Sequence, residues 1–258
     1  SRHKTSVQHL WKELEKNDDI YLSKYSGWYS VSDEAFYSED EIEEINGSKV
    51  ATSSKSTVEW VDEESYFFRL SKWEKPLLEF YEKNPGFISP ESRKNEVVSF
   101  VKSGLKDLSI SRKSFSWGIK VPGNENHVIY VWLDALTNYI SALNYPNTKE
   151  KLFKSFWPAS IHLIGKDILR FHAVYWPAFL LAAKIDLPKK VYGHGWILSG
   201  DEKMSKSKGN ILDPIEIINE YGLDSLRYYL IKEVSFGNDG NISQVRLEDC
   251  INSDLANN

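Results

Sequence analysis

Lys203, Lys206 and Lys208 fall in one short stretch, Asp201-Glu202-Lys203-Met204-Ser205-Lys206-Ser207-Lys208-Gly209-Asn210. Lys203 and Lys206 are three residues apart and can bring two mobile ammonium groups around one polyphosphate. Such groups stabilise the charge that builds on a leaving pyrophosphate. Taken alone, a lysine cluster of this size also reads as a solvated loop. A second candidate is Gly165-Lys166-Asp167. A carboxylate at the start of a helix can accept two ribose hydroxyls, and glycine lets a ligand approach the backbone. The same residues also fit a tight turn followed by an N-cap. A third set is apolar. Trp132, Ala135 and Tyr139 stand at helical spacing, and Ile168, Phe171, His172 and Tyr175 lie on a following helix. Together they can wall a slot of the size of one side chain. Core packing is the alternative for most of these aromatics, whereas His172 beside such a slot needs a polar partner.

These candidates sit at the ends of elements with a recognisable rhythm. His127 to Leu133 is a β-prone run of the kind that is buried on both faces of a sheet, and Asp134 can cap a helix to Leu143. Residues 160–164 repeat the strand pattern, Gly165 breaks it, and a helix is expected from Asp167 to Ala183. A third strand, 190–193, ends in His194-Gly195. Strand, helix, strand, helix, strand predicts an α/β fold with a parallel, doubly wound sheet. Ligands bind such sheets at the carboxyl ends of the strands. A helix over Pro214 to Tyr221 should follow the lysine loop. Upstream, residues 4–16 read as an amphipathic helix through Val7, Leu10, Trp11 and Leu14. Residues 20–125 read as an inserted module of mixed structure. It holds an aromatic strand-like stretch over 25–31, an acidic segment over 38–45, and a turn at Asn46-Gly47. Two helices, over 65–83 and 90–103, are expected to close it.

Composition narrows the function classes. Of 258 residues, 41% are hydrophobic and 27% charged, as in ordinary globular proteins, while aromatics reach 14%. A net charge of −5 argues against a general positive field for coating nucleic acid, although a local basic face needs only a few lysines. No apolar run approaches the roughly 18 residues of a membrane span. Cys250 is the only cysteine, which excludes an internal disulfide or a Cys-rich zinc site and suits the cytosol.

Lys203-Met204-Ser205-Lys206-Ser207 matches the K-M-S-K-S signature of class I aminoacyl-tRNA synthetases at every position. The neighbouring segments sharpen the match. They are Val131-Trp132-Leu133-Asp134-Ala135-Leu136, Ile164-Gly165-Lys166-Asp167-Ile168, Phe171-His172, His194-Gly195 and Asp224-Ser225-Leu226-Arg227-Tyr228-Tyr229. In this order and spacing the chain resembles the methionyl-tRNA synthetases over its whole length. The resemblance implies a Rossmann-like parallel sheet with an inserted connective module and a helical segment after the lysine loop. It implies ATP-dependent activation of methionine to methionyl-adenylate, then transfer to the terminal adenosine of tRNA(Met). Trp132, Ala135, Tyr139, Ile168, Phe171 and His172 would line the methionine pocket, where a thioether packs well on aromatic rings. Gly165 and Asp167 would hold the ribose with Lys166 nearby, and His194, Gly195 and the backbone at Ile197 the adenine. Lys203 and Lys206 would close over the triphosphate, with Mg²⁺ carried on ATP, and Arg112 resembles a family arginine that reaches the phosphates. Membranes and DNA are not expected partners. Another class I synthetase, or a truncated synthetase-like chain that only binds tRNA, are the alternative readings.

The chain departs from the family pattern in two respects. An H-x-G-H type motif, the family's first signature, does not occur in this sequence. The resemblance places it upstream of Ser1, places the anticodon-reading domain beyond Asn258, and implies that this chain alone is a poor catalyst. Many family members also hold zinc in the inserted module through cysteine pairs. Here the corresponding residues 27–36 contain no cysteine, so no zinc is expected. The expected organisation is 1–19 as the end of the first half of the nucleotide fold, 20–125 as the connective module, and 126–200 as the second half. Residues 201–258 would hold the lysine loop, a helical segment and the start of an anticodon-domain helix.

Overall fold

The computed structural model describes the chain except residues 31–34, 115, 200–201, 205–210 and 257–258, and gives only the backbone of residues 25, 35, 36, 63 and 203. The first half runs α1 (Arg2–Lys16), β1 (Ile20–Ser30), β2 (Ala35–Tyr37), β3 (Ile42–Ile45), β4 (Ser48–Ala51), β5 (Glu59–Phe68), α2 (Glu74–Lys83), β6 (Ile88–Ser89) and α3 (Glu91–Lys102). Then come β7 (Leu108–Ser109), β8 (Ser111–Arg112), β9 (Lys120–Val121), β10 (Asn124–Ile129), α4 (Val131–Ser141) and α5 (Lys151–Phe156). The remainder is β11 (His162–Gly165), α6 (Trp176–Ala182), β12 (Val191–His194), β13 (Ile197–Ser199), β14 (Glu202–Lys203), α7 (Pro214–Tyr221), α8 (Leu223–Glu233), β15 (Gly240–Ile242) and α9 (Gln244–Cys250). Contacts divide the chain into two compact units. One is Ser1–Lys75, Gly104–Trp157 and Ala178–Asp186; the other is Pro76–Ser103, Pro158–Pro177 and Leu187–Asn258.

In the first unit, α1 buries Val7, Leu10, Trp11 and Leu14 along one stripe, as its periodicity requires. Trp11 is fully buried and meets the ring of Tyr66 edge-on at 5.3 Å. Polar contacts tie α1 to α4: His3 Nε2 lies 2.6 Å from Asp134 Oδ1 and Nδ1 lies 2.8 Å from Ser141 Oγ. β1 pairs antiparallel with β5 along ten residues and with β2 at its end. Asn46 and Gly47, both at positive φ, turn the hairpin β3–β4.

Two sequence expectations fail here for identifiable reasons. Residues 65–68 complete β5 rather than opening a helix, because the long pairing with β1 overrides local propensity. The run His127–Leu133 is not one buried parallel strand. β10 stops at Ile129 and pairs antiparallel with β8 and β9, and α4 begins at Val131 with Tyr130 as its N-cap. The apolar run hides this switch because Leu133 and Leu136 serve the buried face of a helix as well as they would a sheet. Asp134 therefore sits inside the first turn of α4 and not at its cap.

The second unit carries the parallel sheet, in the order β11-β12-β6. Its third member is the short Ile88–Ser89, paired with Val191 and Tyr192 of β12. The helix expected over 167–183 is continuous from 166 to 182 but not uniform: it opens as a 3-10 turn at Lys166–Ile168 and widens to a π turn at Phe171–Tyr175 before α6. Pro177 accounts for the π turn, since it has no N–H to donate to the carbonyl of Ala173 and its ring crowds that turn. The Tyr81 hydroxyl donates to that carbonyl instead, at 2.5 Å. Downstream, β13 pairs antiparallel with β14 and parallel with β15. Asp213 caps α7 by accepting from Ile215 N, with Pro214 at the first helical position. Tyr229, Ile242, Leu247 and Cys250 form a small core beside α7, against which Met204 and Leu212 pack. Among the described residues no helix is long and apolar enough to cross a membrane.

Trp11→Ala should cost about 3–5 kcal/mol of unfolding free energy in denaturant titrations. Trp117, 89% exposed, is the control, and its replacement by Ala should stay within about 0.5 kcal/mol. Equal effects would contradict the placement of α1 in the core.

Candidate functional site

Parallel register builds the site of the second unit. The last pair between β11 and β12 is Gly165 with His194, so the turns leaving both strands emerge side by side at their carboxyl ends. Open α/β sheets bind ligands at that edge. Gly165, Lys166 and Asp167 come from one turn, and His194 and Gly195 from the other, with Ile197 opening β13 just beyond.

The two glycines work differently. Gly165 has an unremarkable φ of −66°, yet a Cβ there would fall 2.6 Å from Asp167 Oδ1. The missing side chain lets the Asp167 carboxylate fold back across the end of the strand. At Gly195 the obstacle is backbone: a Cβ would stand 2.2 Å from the carbonyl carbon and oxygen of Asn238. The loop before β15 is thus pressed directly onto the turn after β12.

Trp196 and Asp239 hold these turns together. The indole Nε1–H of Trp196 donates to Asp167 Oδ1 at 3.2 Å, and its backbone N–H donates to Asp239 Oδ1 at 2.8 Å. Asp239 Oδ2 accepts the ammonium of Lys166 at 2.6 Å, and that ammonium lies 4.2 Å from the centre of the Trp196 ring. Lys166, then the Trp196 N–H, hold the Asp239 carboxyl below the usual carboxylate range. Lys166 is therefore bound within this network rather than extended into solvent. His194 Nδ1–H donates to the Gly195 carbonyl at 2.8 Å, which leaves Nε2 as the acceptor in the neutral ring.

Ile168, Phe171 and His172 follow on the helix that leaves β11. His172 Nδ1–H donates to the Ile168 carbonyl at 2.9 Å, the polar partner that its sequence position calls for. Burial lowers its pKa, and burial with the neighbouring His172 pushes His162 down to about 4, so both rings stay neutral at physiological pH. Phe171 stands edge-on to Tyr175 at 5.5 Å. Lys203 pairs through its backbone with Leu198. Met204 Sδ accepts the Leu212 N–H at 3.5 Å, so the loop is anchored in the small core on the near side. Lys206 lies outside the described residues, as do Ser205, Ser207 and Lys208.

The other predicted residues belong to the first unit. Trp132, Ala135 and Tyr139 share one side of α4, and that side is not its core, which is made by Leu133, Leu136, Thr137 and Ile140. Trp132 and Tyr139 are half-buried and Ala135 is exposed. Arg112 is buried. Its Nη1 donates to Ser109 Oγ and to the Ser111 carbonyl, both at 2.8 Å, and its guanidinium lies 4.4 Å from the Tyr130 ring centre. Trp196 and Asp239 were not among the sequence candidates. Asp239 lies 43 residues beyond Trp196, and its one local signal is the turn-forming sequence Phe236-Gly237-Asn238-Asp239-Gly240.

Comparison with known proteins bears on the whole chain. The family model described as tRNA synthetases class I (M) matches residues 1–48 and 43–258. A methionine–tRNA ligase of Brucella suis is 57% identical over 99% of this chain and 50% of its own length, and one from Rickettsia felis is 58% identical over 100% and 49%. Methionyl-tRNA synthetase of Mycobacterium tuberculosis, solved in complex with methionyl-adenylate, superposes with a TM-score of 0.95 at 50% identity. That match covers 100% of this chain and 50% of the other. The chain thus spans about half the length of the relatives it matches. It belongs to the methionyl-tRNA synthetase family of class I tRNA synthetases.

Proposed function

We propose that this chain carries methionine- and nucleotide-binding machinery of a methionine–tRNA ligase, which activates methionine with ATP and transfers it to tRNA(Met). The observation that carries the reading is the likeness, over all of this chain and half of the other, to a synthetase solved with methionyl-adenylate, joined to a strand-end site with a glycine-backed carboxylate beside a histidine. Its setting is the cytosol, a reducing compartment that suits a chain with one cysteine. Residues 20–125 are the connective module in this reading, flanked by the two halves of the nucleotide fold, with 201–258 carrying the lysine loop.

Roles follow from the chemistry of each group. Asp167 accepts hydrogen bonds from the ribose hydroxyls. His194 Nε2 and the backbone at Gly195 and Ile197 meet the adenine, whose amino group is a donor and whose ring nitrogens are acceptors. Lys166, held by Asp239, shapes this turn. Trp132, Ala135, Tyr139, Ile168, Phe171 and His172 contribute to methionine binding. A neutral His172 suits a thioether, since a buried imidazolium would need a counter-charge. Lys203, Lys206 and Arg112 neutralise the phosphates, and Mg²⁺ accompanies ATP as part of that substrate.

Gly165→Ala should leave unfolding free energy nearly unchanged, because the obstructing atom is the end of a side chain that can swing away. The Asp167 carboxylate is displaced in doing so, and ATP binding by calorimetry should weaken roughly ten- to hundredfold, as for loss of hydrogen bonds to a charged group. Unchanged ATP affinity would remove Asp167 from the ribose site.

Trp132→Ala should weaken methionine binding by about tenfold or more, the ~1.5–3 kcal/mol carried by burial of a large side chain. Lys206→Ala should instead slow ATP-dependent methionine activation on the order of a hundredfold with methionine affinity intact. Loss of both properties in both variants would contradict the division of roles.

A further inference from the structure

We infer that Trp196 and Asp239 are positioning residues for nucleotide recognition: together they orient the Asp167 carboxylate, and so set how strongly this site discriminates a ribose from a sugar lacking its hydroxyls. The inference rests on the reading of Asp167 as the ribose ligand and assigns what holds that ligand in place.

Asp167 is exposed and lies in a short 3-10 turn, so its own backbone leaves the carboxylate several rotamers. Two features select one. The bare Cα of Gly165 opens the space into which Oδ1 folds, and the indole N–H of Trp196 meets Oδ1 there at 3.2 Å. Oδ2 keeps no hydrogen bond to the protein among the described residues, which leaves that oxygen for a ligand's donors. Trp196 is in turn held through its main chain and across its ring. Its backbone N–H donates to Asp239 Oδ1 at 2.8 Å, its carbonyl accepts the Gly240 N–H at 2.8 Å, and the Lys166 ammonium covers its face at 4.2 Å.

Asp239 is the hub of this arrangement, because one carboxylate holds both the backbone of Trp196 and the cation lying on its ring. Contact between Gly195 and Asn238, too tight for any side chain, keeps Asp239 in register with the turn. A carboxylate held in one rotamer loses less freedom on binding than a mobile one, so the network strengthens hydroxyl recognition without touching the nucleotide.

The test is the ratio of affinities for ATP and 2′,3′-dideoxy-ATP, measured by calorimetry on this chain and on the variants Asp167→Ala, Trp196→Phe and Asp239→Ala. The unaltered chain should prefer ATP by about tenfold or more. Trp196→Phe keeps an aromatic ring for Lys166 and removes only the N–H donor. It should collapse the preference as Asp167→Ala does, with affinities for dideoxy-ATP and methionine unchanged. Asp239→Ala should do the same, and Trp196→Phe decides the matter if Asp239→Ala also loses methionine binding. A preference kept in Trp196→Phe but lost in Asp167→Ala would overturn the inference and leave the ribose reading standing. A preference that survives Asp167→Ala would overturn both.

Discussion

Parallel hydrogen bonding between β11 and β12 decides which side chains of the second unit meet. It ends on the pair Gly165 and His194, and one residue of slip would carry Asp167 away from the turn that holds His194 and Gly195. The rest of the site is built on that register. Glycines at both strand ends give up side chains so that, in one case, a carboxylate and, in the other, a neighbouring backbone can occupy the space. A loop from far along the chain then clasps both turns through Asp239. The chemistry is carried by loops, but their geometry is inherited from the ladder beneath them.

Charge is distributed to match. The chain is net acidic, and its strand-end lysine is neutralised where it stands, since Lys166 is paired with Asp239 and covers the Trp196 ring. In the proposed reaction the phosphate charge is therefore left to Lys203, Lys206 and Arg112; Met204, next to Lys203, packs on the small core. Burial keeps the histidines neutral by the same logic of place. Burial of His162 and His172 disfavours their charged forms.

Much of this was legible in the sequence where local pattern and tertiary role coincide. The stripe of Val7, Leu10, Trp11 and Leu14, the turn at Asn46-Gly47 and the helix from Pro214 to Tyr221 all appear as expected, because each is set by neighbours in sequence. Gly165-Lys166-Asp167 and His194-Gly195 stood out because glycine and charge at a strand end are unusual. Legibility fails where distance in the chain takes over. β6 is two residues long and exists only because β12 offers it a partner. The switch from β10 to α4 is hidden inside a continuous apolar run, and the π turn depends on Pro177 and on Tyr81 far upstream. Trp196 and Asp239 escaped for the same reason: their meaning lies in contacts with residues that no local window contains.

Selective binding of the activated amino acid is the central claim, and one titration addresses it directly. A stable sulfamoyl analogue of methionyl-adenylate is titrated into this chain by calorimetry, with the leucyl analogue and free adenosine as controls. Binding of the methionyl analogue well above both controls is the result expected of a site that holds methionine and nucleotide together. Equal binding of the two aminoacyl analogues, or no gain over adenosine, would contradict it.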